Sequence, residues 1–129
     1  MAVNTSMTIF LVEDEEISAM VVDEQLKSAL SDYHLETFST GEECLANLHK
    51  KPAIILLDYY LPGMNGLETL RKIKSSPYGK SIKVVMLTKQ QDVQTALELQ
   101  KGGAYDYIMK DDNALAKILN VINEVDSYN

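Results

Sequence analysis

Five polar side chains stand directly behind short apolar runs, and their types suit ion and phosphoryl chemistry. Glu13 and Asp14 follow TIFLV (8–12), Asp58 follows AIILL (53–57), Thr88 follows KVVML (83–87), and Lys110 follows the segment at 105–109. If these runs are parallel strands of one sheet, all five residues gather at the C-terminal strand edge. Open α/β sheets bind ligands there, where the strand order reverses. In an assumed order 2-1-3-4-5 the first and third strands flank that point, which sets Asp14 beside Asp58. Carboxylates held close together repel, so one keeps a proton or a cation sits among them. A shallow, all-oxygen site open to water suits Mg²⁺, with Mn²⁺ as a substitute. Such an ion lowers the repulsion between an anionic Asp58 and an incoming phosphoryl group. A carboxylate is an established phosphoryl acceptor. Lys110 and the Thr88 hydroxyl then offer a mobile cation and a donor to the phosphoryl oxygens.

Taken singly, most of these residues have a plainer explanation. Glu13-Asp14 is an ordinary helix start, where acids meet the positive end of the dipole. Thr88 is a β-former, and Lys110 a surface lysine at a strand end. Asp58 is harder to dismiss, because an acid behind AIILL is costly unless it is exposed or used. Their joint occurrence at four strand ends favours function.

The elements that must position them alternate between two hydrophobic periods. Thr8–Val12 reads as a buried strand, followed by a helix over Glu15–Ser31 with Ile17, Met20, Val21, Leu26 and Leu30 at mostly helical spacing. His34–Phe38 is a weaker strand. Ser39 with Glu42 reads as a capping box that opens a helix through Leu45 and Leu48, closed by Lys51-Pro52. After the strand Ala53–Leu57, Pro62-Gly63 marks a turn and Asn65 caps a helix to about Ser75. Residues 76–81 form a loop, Lys83–Leu87 a fourth strand, and Asp92–Lys101 a helix stopped by Gly102-Gly103. Tyr105–Met109 is the fifth strand and Asn113–Val125 the last helix. Five βα units in sequence imply an α/β fold, a doubly wound (βα)5 parallel sheet with helices on both faces.

The 129 residues fit one domain that buries enough surface to fold without a disulfide or metal staple. Nineteen acidic against twelve basic residues give a net charge of −7, poorly suited to gripping a phosphate backbone, so no direct nucleic-acid contact is expected. The single cysteine, Cys44, excludes an internal disulfide and fits a reducing cytoplasm. No apolar run approaches a membrane span, and the first ten residues lack the features of a signal peptide, so the expected location is the cytoplasm. Met7, Met20, Met64, Met86 and Met109 show no ligand pattern and read as core filler. His34 and His49 are assigned no role.

Four segments, LVEDEE, LLDYYLPGMNGLE, VVMLTK and GGAYDYIMKD, occur in this order and resemble the signature segments of response-regulator receiver domains of two-component signalling. The likeness runs from about residue 8 to 125, so the chain reads as one receiver domain over 1–129. The resemblance implies a flavodoxin-like sheet of order 2-1-3-4-5, with Asp58 as phosphoacceptor. It also implies that Asp14 and Asp58 ligate Mg²⁺ directly, that Glu13 helps through a bound water, and that the Tyr60 backbone carbonyl completes the protein ligands. Thr88 and Lys110 would contact the phosphoryl group, and Tyr107 would be the aromatic whose position is coupled to Thr88. The implied donor is a sensor histidine kinase or a histidine phosphotransfer protein. The implied output is the face built from the fourth helix, fifth strand and fifth helix, acting on an output domain, a protein partner or a second copy in a phosphorylation-dependent homodimer.

Two positions depart from that pattern. Asp111 stands where the family usually has proline after the lysine, often behind a cis bond. Without proline a cis bond costs about 3 kcal/mol or more, so a trans Lys110-Asp111 bond is expected. Lys89 stands where a small residue usually follows the threonine, and bears on the lifetime of a phosphorylated state. These departures leave a pseudo-receiver, which binds partners without phosphorylation, as the main alternative. A phosphohydrolase using an aspartyl nucleophile is disfavoured, because Tyr60 holds the place of its second acid. A flavodoxin-like cofactor binder lacks a phosphate-cradling loop after the first strand.

Overall fold

A computed structural model of the chain describes residues 7–89 and 92–127. Five parallel strands, β1 (Met7–Val12), β2 (Tyr33–Phe38), β3 (Ile54–Asp58), β4 (Lys83–Thr88) and β5 (Asp106–Met109), pair in the order β2-β1-β3-β4-β5. This is the order expected of the flavodoxin-like (βα)5 fold. The helices α1 (Glu16–Ala29), α2 (Gly41–Ala46), α3 (Gly66–Ser75), α4 (Val93–Lys101) and α5 (Ala114–Ser127) alternate with the strands.

The pleat divides the strand residues between two cores. Ile55 and Leu57 of β3, with Phe10, Val12, Val84 and Met86, pack under Leu70 and Ile73 of α3 and Leu99 of α4. Ile54 and Leu56, with Ile9, Leu11, Val85 and Ile108, pack under Leu26 of α1 and Ile118, Val121 and Ile122 of α5. Both faces of β3 are therefore covered, which is why its sequence is a continuous apolar run rather than an alternating one. The run ends on Asp58 at the C-terminal edge.

Three local expectations are corrected. The α2 cap lies one residue later than Ser39: Thr40 Oγ1 accepts from the Glu43 backbone N–H at 3.1 Å, and the Ser39 hydroxyl donates to Glu43 Oε1 at 2.8 Å. In α1 the apolar residues do not share one buried face. Ile17, Met20 and Val21 are 72, 60 and 49% exposed, while Ala19 and Leu26 face the core. Met20 is therefore not core filler, whereas Met86 is fully buried. Cys44 of α2 is buried, and burial pushes its thiol up to about 12. It stays neutral and inert under ordinary conditions. No helix among the described residues is long and apolar enough to cross a membrane.

Candidate functional site

Two strand ends bring the three acids together. Glu13 leaves β1 with its backbone N–H donated to Phe38 O of β2 at 2.9 Å. Asp58 is the last residue of β3, and both Glu13 and Asp58 are only 5% exposed. Asp14, the next residue along from Glu13, lies open to solvent. Each of the three offers a carboxylate oxygen, and these oxygens lie within 4.8 Å of one another.

Lys110 reaches in from the end of β5. Its Nζ lies 2.6 Å from Glu13 Oε1 and 2.9 Å from Asp58 Oδ2. The other Asp58 oxygen, Oδ1, accepts from the Tyr60 backbone N–H at 3.1 Å. Burial, followed by the neighbouring Asp58, raises the Glu13 carboxyl above its usual value, against the pull of Lys110. Burial alone would lower the Lys110 pKa. Its hydrogen bonds to Glu13 and Asp58 and their charges outweigh that and leave it raised. One ammonium against three carboxylates leaves the cluster net negative while two of the acids are out of water. That donor set fits a hard divalent cation.

The loop after β3 is fixed from both sides. The Tyr59 N–H donates to Leu87 O of β4 at 2.8 Å, and the Gly66 N–H donates to Tyr59 O at 2.9 Å. Asn65 caps α3 in a capping box with Glu68, as its position in the sequence suggests. A Cβ on Gly66 would lie 2.6 Å from Asp58 O and 2.6 Å from Tyr59 Cα. The first turn of α3 thus rests directly on the backbone that carries Asp58.

The model of the response regulator receiver domain matches residues 9–123 of this sequence. The chain belongs to the response-regulator receiver family. It is 28% identical over 103 residues to the phosphate regulon transcriptional regulatory protein PhoB of Rhizobium meliloti, which covers 79% of this chain and 44% of that protein. The receiver thus spans less than half the length of that relative. It is 32% identical over 136 residues to response regulator Rcp1 of Synechocystis, covering 97% of this chain and 90% of that protein. The Mn(2+)-bound form of response regulator Rcp1 superposes with a TM-score of 0.76 at 29% identity, over 95% of this chain and 93% of the other. The phosphorylated cyanobacterial phytochrome response regulator RcpA gives a TM-score of 0.79 at 28% identity, over 96% and 94%.

In this receiver Thr88 closes β4 and is 1% exposed. Tyr107 lies on β5 opposite Met86, half-buried against the core under α2, α3 and α4. A cavity of about 270 Å³ between α4 and β5 borders it, with Ala96, Leu99, Gln100 and Ala104 among its lining. Lys89 is exposed directly after Thr88.

The Lys110-Asp111 bond is trans, as expected without proline. Asp111 supplies a different anchor: its Oδ1 accepts from the Asn113 N–H at 2.8 Å, and its carbonyl from the Ala114 N–H at 3.1 Å. It turns the chain into α5 by hydrogen bonding where proline would do so by its ring. The Lys110 N–H is meanwhile held by Thr88 O at 2.7 Å, so the lysine keeps its place on the sheet edge.

Sequence reasoning overlooked two features of this edge, Gly66 and the direct Glu13–Lys110 pair. Gly66 did carry a signal, since glycine is a poor choice at the start of a helix unless backbone passes close by. The ion pair spans 97 residues of sequence and left no local mark.

Proposed function

We propose that this receiver takes a phosphoryl group onto Asp58 from a sensor histidine kinase or histidine phosphotransfer protein, with Mg²⁺ or Mn²⁺ required. The observation that carries this is the near-buried Asp58 carboxylate, grouped with Glu13 and Asp14 within 4.8 Å and met by Lys110 at 2.9 Å. An Asp58 oxygen attacks phosphorus and forms the new P–O bond. The bond from phosphorus to the donor's imidazole nitrogen breaks, and its electron pair stays on nitrogen.

Asp14 and Asp58 would hold the ion directly, with Glu13 through a water and the Tyr60 carbonyl as a further ligand. When bound, the ion supplies charge neutralisation for the transferring group. Lys110 and the Thr88 hydroxyl then meet phosphoryl oxygens. Movement of Thr88 toward the phosphoryl group makes room for Tyr107 to shift, and the α4-β5-α5 face carries the change to an output domain, a protein partner or a second copy. The chain from 8 to 125 is read as one such domain, working in the cytoplasm. The manganese-bound and phosphorylated relatives support the reading. So do Glu13, Asp14, Asp58, Thr88 and Lys110 at one edge, against the pseudo-receiver suggested by Lys89 and Asp111.

The test is intact-mass spectrometry of the full chain treated with a small acyl phosphate and Mg²⁺. One phosphoryl adduct that is lost on treatment with hydroxylamine supports the reading. No adduct, in protein shown to bind Mg²⁺, supports the pseudo-receiver instead.

A protein donor must bring its phosphohistidine to bonding distance of Asp58, so it must cover the rim around the acids. The solvent-facing stripe Ile17, Met20 and Val21 begins two residues after Glu15 and is apolar at helical spacing. Replacing Ile17 and Met20 together by Glu is expected to slow transfer from the cognate protein donor by about tenfold or more. Incorporation from acyl phosphate should be unchanged, because that donor needs no docking surface. Equal loss with both donors would remove the stripe from the account.

A further inference from the structure

Strand β2 forms one side of the sheet and, among the described residues, pairs with β1 alone. Its six residues, YHLETF, contain no proline, glycine or lysine to blunt that edge. One bond sets the direction of its backbone groups. Phe38 O accepts from the Glu13 N–H at 2.9 Å, so Phe38, Glu36 and His34 turn their N–H and C=O groups toward β1. Tyr33, Leu35 and Thr37 therefore turn theirs outward.

We infer that this edge is an interface with a second copy of the chain, two β2 strands pairing antiparallel about a two-fold axis at Leu35. That register uses every outward group. Leu35 meets Leu35 of the second copy and Tyr33 meets its Thr37, which gives about six backbone hydrogen bonds. His34 then stands directly opposite Glu36 of the second copy, at the closer spacing of a pair that shares no backbone bond. Glu36 Oε1 holds Lys50 at 2.8 Å, while its Oε2 lies 3.8 Å from its own His34, too far for a hydrogen bond. An imidazole N–H from across the axis suits that oxygen. Moving the axis by one residue would set Glu36 against Glu36, or His34 against His34. The register at Leu35 pairs unlike groups.

Helix α1 carries the same self-complementarity. Asp23 and Lys27, paired at 3.0 Å, line a groove of about 420 Å³ beside β2, together with Leu30, Tyr33, Leu35 and Thr37. The axis runs the two α1 helices antiparallel on one face of the joined sheet, so Asp23 faces Lys27 of the second copy. Leu30 and Leu35 of both copies supply the apolar contact between them. Strand β2 is the sheet edge farthest from β5, so this dimer leaves the α4-β5-α5 face free. It also forms whether or not Asp58 takes a phosphoryl group.

The experiment is sedimentation equilibrium of the 129-residue chain over a range of concentrations, with no phosphoryl donor and no metal. A reversible monomer–dimer equilibrium is expected. Thr37→Pro removes one outward N–H and leaves the ladder to β1 intact, so it should weaken the dimer about tenfold or more. His34→Glu sets like charges opposite each other twice across the axis and should cost about tenfold. Adding Glu36→Lys to His34→Glu restores unlike pairs and should recover the dimer. Val93→Glu, on the 78% exposed Val93 of α4, should leave it unchanged.

Thermal melts establish that each variant is folded, and the His34→Glu and Glu36→Lys pair carries the test should Thr37→Pro fail to fold. A wild type that stays monomeric at about 1 mM overturns the inference. So does a dimer that survives Thr37→Pro and His34→Glu, or one lost in Val93→Glu. Failure of the double variant to recover the dimer overturns the register at Leu35.

Discussion

Asp58→Asn is expected to reduce phosphoryl incorporation from acyl phosphate to background, a loss of about a thousandfold or more. On the proposed reading the amide oxygen is a poor nucleophile and the variant would remove one anionic ligand, so acceptor chemistry and ion binding should fail together. The fold should survive. Asp58 is 5% exposed and stands beside Glu13, so neutralising it relieves repulsion, while Lys110 keeps its 2.6 Å pair with Glu13. The metal-free variant should therefore melt at or above the wild-type temperature, since buried charges cost desolvation that neutral isosteres avoid. Intact mass and thermal melts read the two effects separately. A variant that still takes a stable adduct would place the acceptor elsewhere, and one that unfolds would make Asp58 a structural acid.

Gly66→Ala is expected to have the largest effect on both stability and site geometry of any single methyl added to this domain's functional edge. The new Cβ would meet Asp58 O and Tyr59 Cα at 2.6 Å and Tyr59 O at 2.9 Å, all of it backbone that cannot rotate away. Either α3 lifts from the sheet or the Asp58 loop moves. The first strips cover from Leu70 and Ile73, both fully buried, and the second displaces the carboxylate from Lys110. The cost is on the order of 3 kcal/mol, from overpacking that backbone must absorb. Denaturant unfolding measures it directly. Gly63, at φ 69 but with only the Glu42 side chain 3.5 Å from a would-be Cβ, provides a contrast. Ala there is strained by its backbone angle yet leaves Asp58 in place.

The fold was readable because two periodicities rarely mislead when they alternate five times. AIILL, covered on both faces, and α5, with Ile118, Ile122 and Val125 buried, are strong examples. The grouping of the candidate residues was readable because they lie at strand ends, where a one-residue error in a boundary does not move them to another face of the molecule. Asp58 falls inside β3 and Thr88 inside β4 rather than just beyond, and both still stand at the C-terminal edge of the sheet.

What escaped the sequence has physical causes. The α1 stripe looked like core because periodicity reports that residues share a face, not which side that face takes. Here Ala19 and Leu26 face the sheet, and Ile17, Met20 and Val21 face outward. The α2 cap slipped from Ser39 to Thr40 because both can cap and each has a glutamate three residues on. The Glu13–Lys110 pair was out of reach because it joins the first strand to the last. Asp111 read only as a missing proline, since its capping bond to Asn113 needs the turn to be seen.

The central claim is that a divalent ion among Glu13, Asp14 and Asp58 must offset their charge before Asp58 accepts a phosphoryl group. The most direct measurement is the rate of phosphoryl incorporation from acyl phosphate in the 129-residue chain stripped with EDTA, then in rising Mg²⁺. The account predicts no incorporation without the ion and a rate that saturates with Mg²⁺ occupancy, the same titration failing in Asp14→Asn. Incorporation onto Asp58 at an undiminished rate in EDTA would contradict it.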